Sequence, residues 1–377
     1  MAPPTPLIGR RRALTGAVAL LGLAIASPAR AAHVLPFGRY GSPRRRLNNR
    51  TLYVDIQGRG DHTTVQAAVD ATPDAPAGGW TLVIAAGMYR ETVVVPQAKT
   101  GLCFLGATGD ARDVVIVYDN AAGTPKPEGG TYGTSGSATT TIQADGFTAA
   151  DVTFANDWLR ADHPEITSTQ AVAAKVMGDR SYFDRCRFLG HQDTLYADTR
   201  TLASFARQCY RECHIEGDVD FVFGRATAVF ERCELMTLAR DVTFRPYGFV
   251  FAPSTAAVNP HGYLAVRCVI DGAAAGASFG LARPWRPSSD PTALPSLVVR
   301  ETRMGPSIDA ATPYVDMSAG YHWQDARFGE FHNSGPSAAI PVPGNRPQLT
   351  PEQAAEHTPA NYLGDWRPAL LPRPSGR

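Results

Sequence analysis

The chain has 377 residues, with 36 Lys+Arg against 35 Asp+Glu and a formal net charge of +1. That balance excludes a dedicated nucleic-acid binder, which carries a basic excess. With 44% hydrophobic and 19% charged residues the chain is not disordered, and it is long enough to bury a large core without metals or a dense disulfide framework.

Residues 1–31 read as an export signal. Arg10, Arg11 and Arg12 precede an apolar run over 13–27, and Ala29-Arg30-Ala31 offers a small-residue cleavage site. The run is too short to span a bilayer comfortably. Paired arginines ahead of it point to the twin-arginine route. The mature chain is expected to be secreted or periplasmic, with no membrane attachment after signal removal. Residues 32–50, with Arg44, Arg45, Arg46 and Arg50, read as a basic irregular lead-in.

From Thr51 onward, short β-rich runs alternate with Gly, Asn and Asp breaks. Strands are expected at 51–56, 81–84, 91–95, 114–118, 226–230 and 296–299. Helical signals are few. Thr63 or Thr64 caps a short helix through Ala71, with Val65, Ala68 and Val69 on one face. Thr350-Pro351-Glu352-Gln353 is a capping box with proline at the first helical position. The composition is that of an all-β protein.

An internal repeat runs through the middle of the chain. An apolar or aromatic residue is followed three positions later by Cys and then, two further on, by another apolar residue. It appears as Phe183–Cys186–Phe188, Tyr210–Cys213–Ile215 and Phe230–Cys233–Leu235, with echoes at Ala149–Val152–Phe154 and Ala265–Cys268–Ile270. Such a period suits the turns of a parallel β-helix with loops inserted on some of them. Stacked turns set equivalent residues about 4.8 Å apart, inside the roughly 4.4–6.8 Å Cα window of a disulfide. Cys213–Cys233 is the candidate bridge. Cys186–Cys213 is the rival, and six reduced thiols packed as small apolar groups are the third option. Cys209, Cys213 and His214 lack a second ligand pair, so no metal is expected.

Two segments carry candidate chemistry: Gly190-His191-Gln192-Asp193-Thr194-Leu195-Tyr196 and Gly217-Asp218-Val219-Asp220-Phe221-Val222-Phe223-Gly224. Asp193 and Asp220 are about one turn apart, with an insert at 198–204 between them. Strand alternation puts Asp220 on the face opposite Phe221. Two carboxylates on neighbouring turns perturb one another, leaving one protonated and one ionised. Period alone does not separate an esterase from a glycosidase, which also uses two carboxylates.

At these residues the chain resembles the pectin methylesterases, and most of all their secreted bacterial members. The likeness rests on Gly87-Met88-Tyr89-Arg90-Glu91, Gln170-Ala171-Val172-Ala173, Gln192-Asp193-Thr194-Leu195, Asp220-Phe221-Val222-Phe223-Gly224 and Leu281-Ala282-Arg283-Pro284-Trp285, in the family's order, and on the stretch 348–366. The resemblance implies a right-handed parallel β-helix over 51–377 as a single catalytic domain, acting as a monomer on methylesterified pectin. It implies Asp220 as nucleophile, Asp193 as general acid and then base, Gln170 and Gln192 as oxyanion donors, and Arg283 as the partner of Asp220. It also implies Trp285 as a sugar-stacking residue and Tyr196, Val219, Phe223 and Met317 as groove-lining residues. Tyr89 and Glu91 are expected to organise the fold rather than react. No cofactor is needed for this chemistry. One departure stands out: the family's usual glycine is Ala282 here, which would strain Arg283 if the position had φ > 0.

Rival functions remain on the sequence alone. A polysaccharide lyase would show a calcium-type acidic cluster, which is not apparent. Gly133-Thr134-Ser135-Gly136-Ser137 lacks the second glycine of a serine-esterase elbow. A non-catalytic pectin-binding protein, or an esterase or thioesterase acting on another ester, would share the same scaffold.

Overall fold

The computed structural model of the chain describes residues 49–273, 276–369 and 371. The expected export signal and nearly all of the basic lead-in lie outside them. The strands anticipated from the sequence form at Thr51–Val54, Thr81–Ile84, Val93–Val95, Val114–Tyr118, Thr227–Glu231 and Ser296–Arg300. Consecutive strands visit three sheets in rotation. Ser181–Asp184, Arg187–Leu189 and Leu195–Ala197 make one turn, and Arg207–Arg211, His214–Gly217 and Val222–Gly224 make the next. Pairing between turns is parallel. Among the described residues the first sheet has ten strands, the second eight and the third seven. The fold is a parallel β-helix.

The repeat seen in the sequence is the corner between the first and second sheets. Phe183, Tyr210, Phe230 and Ala265 are in register on the first sheet, and Phe188, Ile215, Leu235 and Ile270 on the second. Between them one residue per turn takes positive φ: Asp151, Arg185, Glu212, Arg232, Arg267, Glu301 and His332, all at 50–57°. A single left-handed residue bends the chain sharply enough to start the next sheet. Its amide stays paired, as in Arg185 N to Arg211 O at 2.9 Å and Glu212 N to Glu231 O at 3.0 Å. Inside the coil the aromatic rings stack with the strand spacing: Phe183 on Tyr210 at 5.0 Å and Tyr210 on Phe230 at 4.9 Å between centroids.

The disulfide expectation is corrected here: all six cysteines are free, including Cys213 and Cys233. Parallel stacking brings Cys186, Cys213, Cys233 and Cys268 to one corner ladder, where each thiol neighbours the next and also lies near backbone carbonyls. Cys213 Sγ lies 3.4 Å from Arg211 O and 3.5 Å from Phe183 O, and Cys233 Sγ 3.3 Å from Tyr210 O. Spacing suitable for a bridge does not by itself make one; the thiols pack as small buried groups.

Both helix starts expected from the sequence form. Helix α1, Val65–Ala71, begins at Thr64, whose hydroxyl accepts from Ala67 N, and buries Val65, Ala68 and Val69. Glu91 accepts from the amides of Val65 and Gln66 at 2.7 and 2.9 Å, so its charge sits on the helix N-terminus. Tyr89 is buried, its hydroxyl pushed up to about 12 by burial. Both therefore serve the fold. The anticipated capping box forms at Thr350. Beyond it, the helix Pro359–Leu363 packs Tyr362 and Leu363 on the outer face of the first sheet, against Cys209, Val229 and Leu264. Among the described residues no helix is long and apolar enough to cross a membrane.

Candidate active site

The third sheet and the turns leading into it build a cleft of about 660 Å³ lined by Gln170, Gln192, Asp193, Tyr196, Asp220, Phe223, Arg283, Trp285 and Met317, among others. Register explains the meeting of the carboxylates. Leu195 pairs with Val222, and Asp193 N donates to Val219 O at 2.9 Å, so Asp193 and Asp220 occupy equivalent places on neighbouring turns. Both have positive φ, 65° and 50°. Aspartate tolerates this region better than most residues, and a strained position in a cleft is a functional signal. Close approach of the two turns also needs Gly217, where a Cβ would fall 2.3 Å from that of Phe221 and 2.5 Å from His191 O.

Asp220 does turn outward while Phe221 enters the core, but not by strand alternation. Phe221 and Val222 are both in the core cluster, and the side chains alternate only from Val222 to Phe223. The left-handed backbone at Asp220 resets the pattern. Val219 is half-buried and is not among the residues lining the cleft. The other anticipated site residues converge. Ala282 ends the strand Gly280–Ala282 fully buried and is not among the residues with positive φ, so the feared strain is absent.

Arg283 grips Asp220 with two hydrogen bonds, Nε to Oδ1 at 2.8 Å and Nη2 to Oδ2 at 2.5 Å. Its guanidinium lies over the Phe249 ring at 4.6 Å, which fixes the plane of the fork. Both carboxylates are 7% exposed. Burial raises the Asp193 carboxyl well above its ordinary value, and the neighbouring Asp220 charge adds to the rise against the pull of Arg283. Burial also raises Asp220, but the hydrogen bonds and charge of Arg283 work against it. Asp193 thus holds its proton more tightly than Asp220, which ionises first of the two.

Beside this pair, Tyr196 stacks on Phe223 at 4.1 Å, with Trp285 5.7 Å from Phe223 and Met317 packed against the group. The insert places Asp198, Thr199, Arg200, Thr201 and Leu202 along the cleft. Sequence reasoning missed Lys175, whose Nζ is 2.5 Å from Ser135 Oγ and 4.9 Å from the Tyr196 ring centroid. Its place between buried Ala174 and Val176 was a period-two signal that it faces outward. Sequence reasoning also gave no role to Arg160 and Thr169, which bond Gln192 Oε1, or to the buried Asp218, which bonds Arg160. Among the described residues, no group of three or more His, Cys, Asp or Glu is arranged to hold a metal ion.

The Pectinesterase family model matches residues 51–365. Pectinesterase A of Dickeya chrysanthemi is 35% identical over 341 residues, covering 82% of this chain and 90% of that protein. A pectinesterase of Ralstonia solanacearum is 32% identical over 311 residues, covering 75% and 78%. Among solved structures, pectin methylesterase PemA from Erwinia chrysanthemi superposes with a TM-score of 0.75 at 31% identity, covering 87% of this chain and all of that one. A pectin methylesterase in complex with a hexasaccharide superposes at 0.74, with 31% identity and coverages of 85% and 98%.

Proposed function

The chain belongs to the pectinesterase family and is a carboxylic ester hydrolase that removes methyl esters from pectin; from that premise we propose that Asp220 is its nucleophile and Asp193 its acid–base group. Arg283 orients Asp220 and favours its ionised form, and Gln170 and Gln192 donate to the oxyanion. The observation that carries this assignment is the two-bond Arg283–Asp220 pair set beside a buried Asp193 whose proton is held more tightly.

The steps follow from these groups. A carboxylate is a weak nucleophile, so a rigid guanidinium fork on its far side is needed to aim it. Attack of Asp220 on the ester carbon forms a tetrahedral oxyanion. Each amide donor aimed at that oxygen is worth about 2.7–4 kcal/mol by analogy with other acyl-transfer sites. Collapse breaks the bond to methoxide, a poor leaving group, and the Asp193 proton goes with it as methanol. An anhydride between Asp220 and the galacturonate carbonyl remains. Asp193, now ionised, takes a proton from water, whose oxygen attacks that carbonyl and frees Asp220. The Tyr196–Phe223–Trp285–Met317 wall supplies apolar faces for the sugar rings.

We further propose that residues 1–31 export the chain, that 32–50 form a lead-in to a catalytic β-helix over 51–377, and that the enzyme acts as a monomer. The test of the residue roles compares a methyl ester with an aryl ester whose leaving group needs no proton. Asp220→Asn should abolish turnover of both, whereas Asp193→Asn should lose far more on the methyl ester. Equal losses on both esters for Asp193→Asn would remove the acid role.

A further inference from the structure

We propose that Arg160 and Thr169 are positioning residues that fix the Gln192 amide with its Nε2 toward the reacting ester, and that Asp218 holds Arg160 in place to do so. This rests on the reading of Gln192 as an oxyanion donor.

A glutamine amide has two ends of nearly equal size and opposite polarity, and its last torsion is soft. With the nitrogen inward it stabilises a growing oxyanion. With the oxygen inward it opposes one. Gln192 therefore needs something to choose its orientation. Thr169 Oγ1 donates to Gln192 Oε1 at 2.7 Å, and Arg160 Nη2 reaches the same oxygen at 3.3 Å. A guanidinium has donors only, so the end of the amide that faces it must be the oxygen. Nε2 is left for the cleft that Gln192 lines.

Arg160 is itself fixed. Its Nη1 bonds Asp218 Oδ2 at 2.5 Å and its Nη2 bonds Oδ1 at 3.0 Å. Asp218 is 1% exposed, with His191 Nδ1 at 3.5 Å and Arg240 Nε at 3.8 Å on its other sides. Burial alone would raise this carboxyl, but hydrogen bonds from His191 and Arg160 hold it at about 2, so it remains an anion for Arg160 throughout the working range. The arginine side chain spans three turns. It starts in the segment after the strand Thr153–Asn156, passes Gln192 one turn on, and ends at Asp218 one turn further. Thr169 precedes Gln170, so the same segment that orients one amide donor also carries the other.

The test is a set of double-mutant cycles on methylated homogalacturonan, reading kcat and KM separately and checking each variant's folding by thermal unfolding. Gln192→Ala should lower kcat about 100-fold. Arg160→Lys and Thr169→Val should each lower kcat roughly tenfold, with KM within about twofold. Thr169→Val loses only a hydroxyl donor, so it stands if Arg160 variants fold poorly. In the Gln192→Ala background the same two substitutions should have no further effect on kcat. Undiminished losses in that background would overturn the proposal, as would wild-type kcat in both single variants. If Gln192→Ala is itself fully active, the proposal falls, and an Asp220→Asn control that remains inactive would show the nucleophile assignment to be unaffected.

Discussion

Replacing Arg283 by methionine isolates what the guanidinium does for Asp220. The substitution keeps an apolar stem over Phe249 and removes both bonds, at 2.8 and 2.5 Å. Charge-assisted bonds contribute about 1.5–3 kcal/mol each. Taking about 3 kcal/mol for the pair, at 1.36 kcal/mol per unit the Asp220 carboxyl should rise by roughly 2 units beyond its already raised position. The acid limb of kcat/KM for methanol release reports the ionisation of Asp220, so that limb should move up by the same amount. On its slope, a fixed pH then shows about a hundredfold loss that is regained as pH rises. Arg283→Lys keeps the charge and loses the fork, so its limb should move about half as far. Breaking a buried pair also destabilises by about 3–5 kcal/mol, so the profile is taken at low temperature with folding followed by near-ultraviolet circular dichroism. A methionine variant that is folded, slow at every pH and unshifted in its acid limb would refute the idea that Arg283 governs Asp220 ionisation.

Three further outcomes are expected. Asp193 is raised in the folded state, so its contribution to stability is complete below the ordinary carboxyl value near 4 and falls by about 1.4 kcal/mol per pH unit up to the raised value; Asp193→Asn should therefore be inactive on methyl esters yet increasingly more stable than wild type as pH rises from about 4, by urea unfolding. Tyr362→Ala should lose about 3–5 kcal/mol in the same assay, because Tyr362 is 2% exposed, packs with Cys209 and Val229, and bonds His357 Nδ1 at 2.9 Å. Thiol titration of denatured, unreduced protein should count six free cysteines; four would mean that a bridge forms.

Much of the scaffold was legible because it repeats. The Phe–Cys–Phe spacing marks a corner where local backbone and core packing coincide on each turn. The helix caps were legible because Thr64 and Thr350 each satisfy an amide only three residues away. The cluster of Asp193, Asp220, Arg283, Gln170 and Gln192 was legible through motifs spread along the chain. What escaped depended on three-dimensional direction. The corner cysteines have the spacing expected of a bridge but are free thiols packed in the core. Val219, assigned to the groove by family resemblance, is not among the residues lining the cleft, and one-residue alternation from an outward Asp220 already directs it to the other face. Arg160 and Asp218, 58 residues apart, meet only because two full turns return the chain to the same edge, and nothing in the segment of Arg160 pairs it with Asp218. Ala282 looked like a liability from family pattern, yet its extended backbone accepts a methyl group in the core.

In the proposed mechanism Asp220, gripped by Arg283 and served by a protonated Asp193, opens methyl esters on pectin. The most direct measurement is methanol release from highly methylated homogalacturonan by the purified protein and by Asp220→Asn, with polymer length followed in the same samples. Methanol without shortening of the polymer, absent from the folded Asp220→Asn variant, is the predicted result. Methanol release that survives in that variant, or chain shortening in place of methanol, would contradict it.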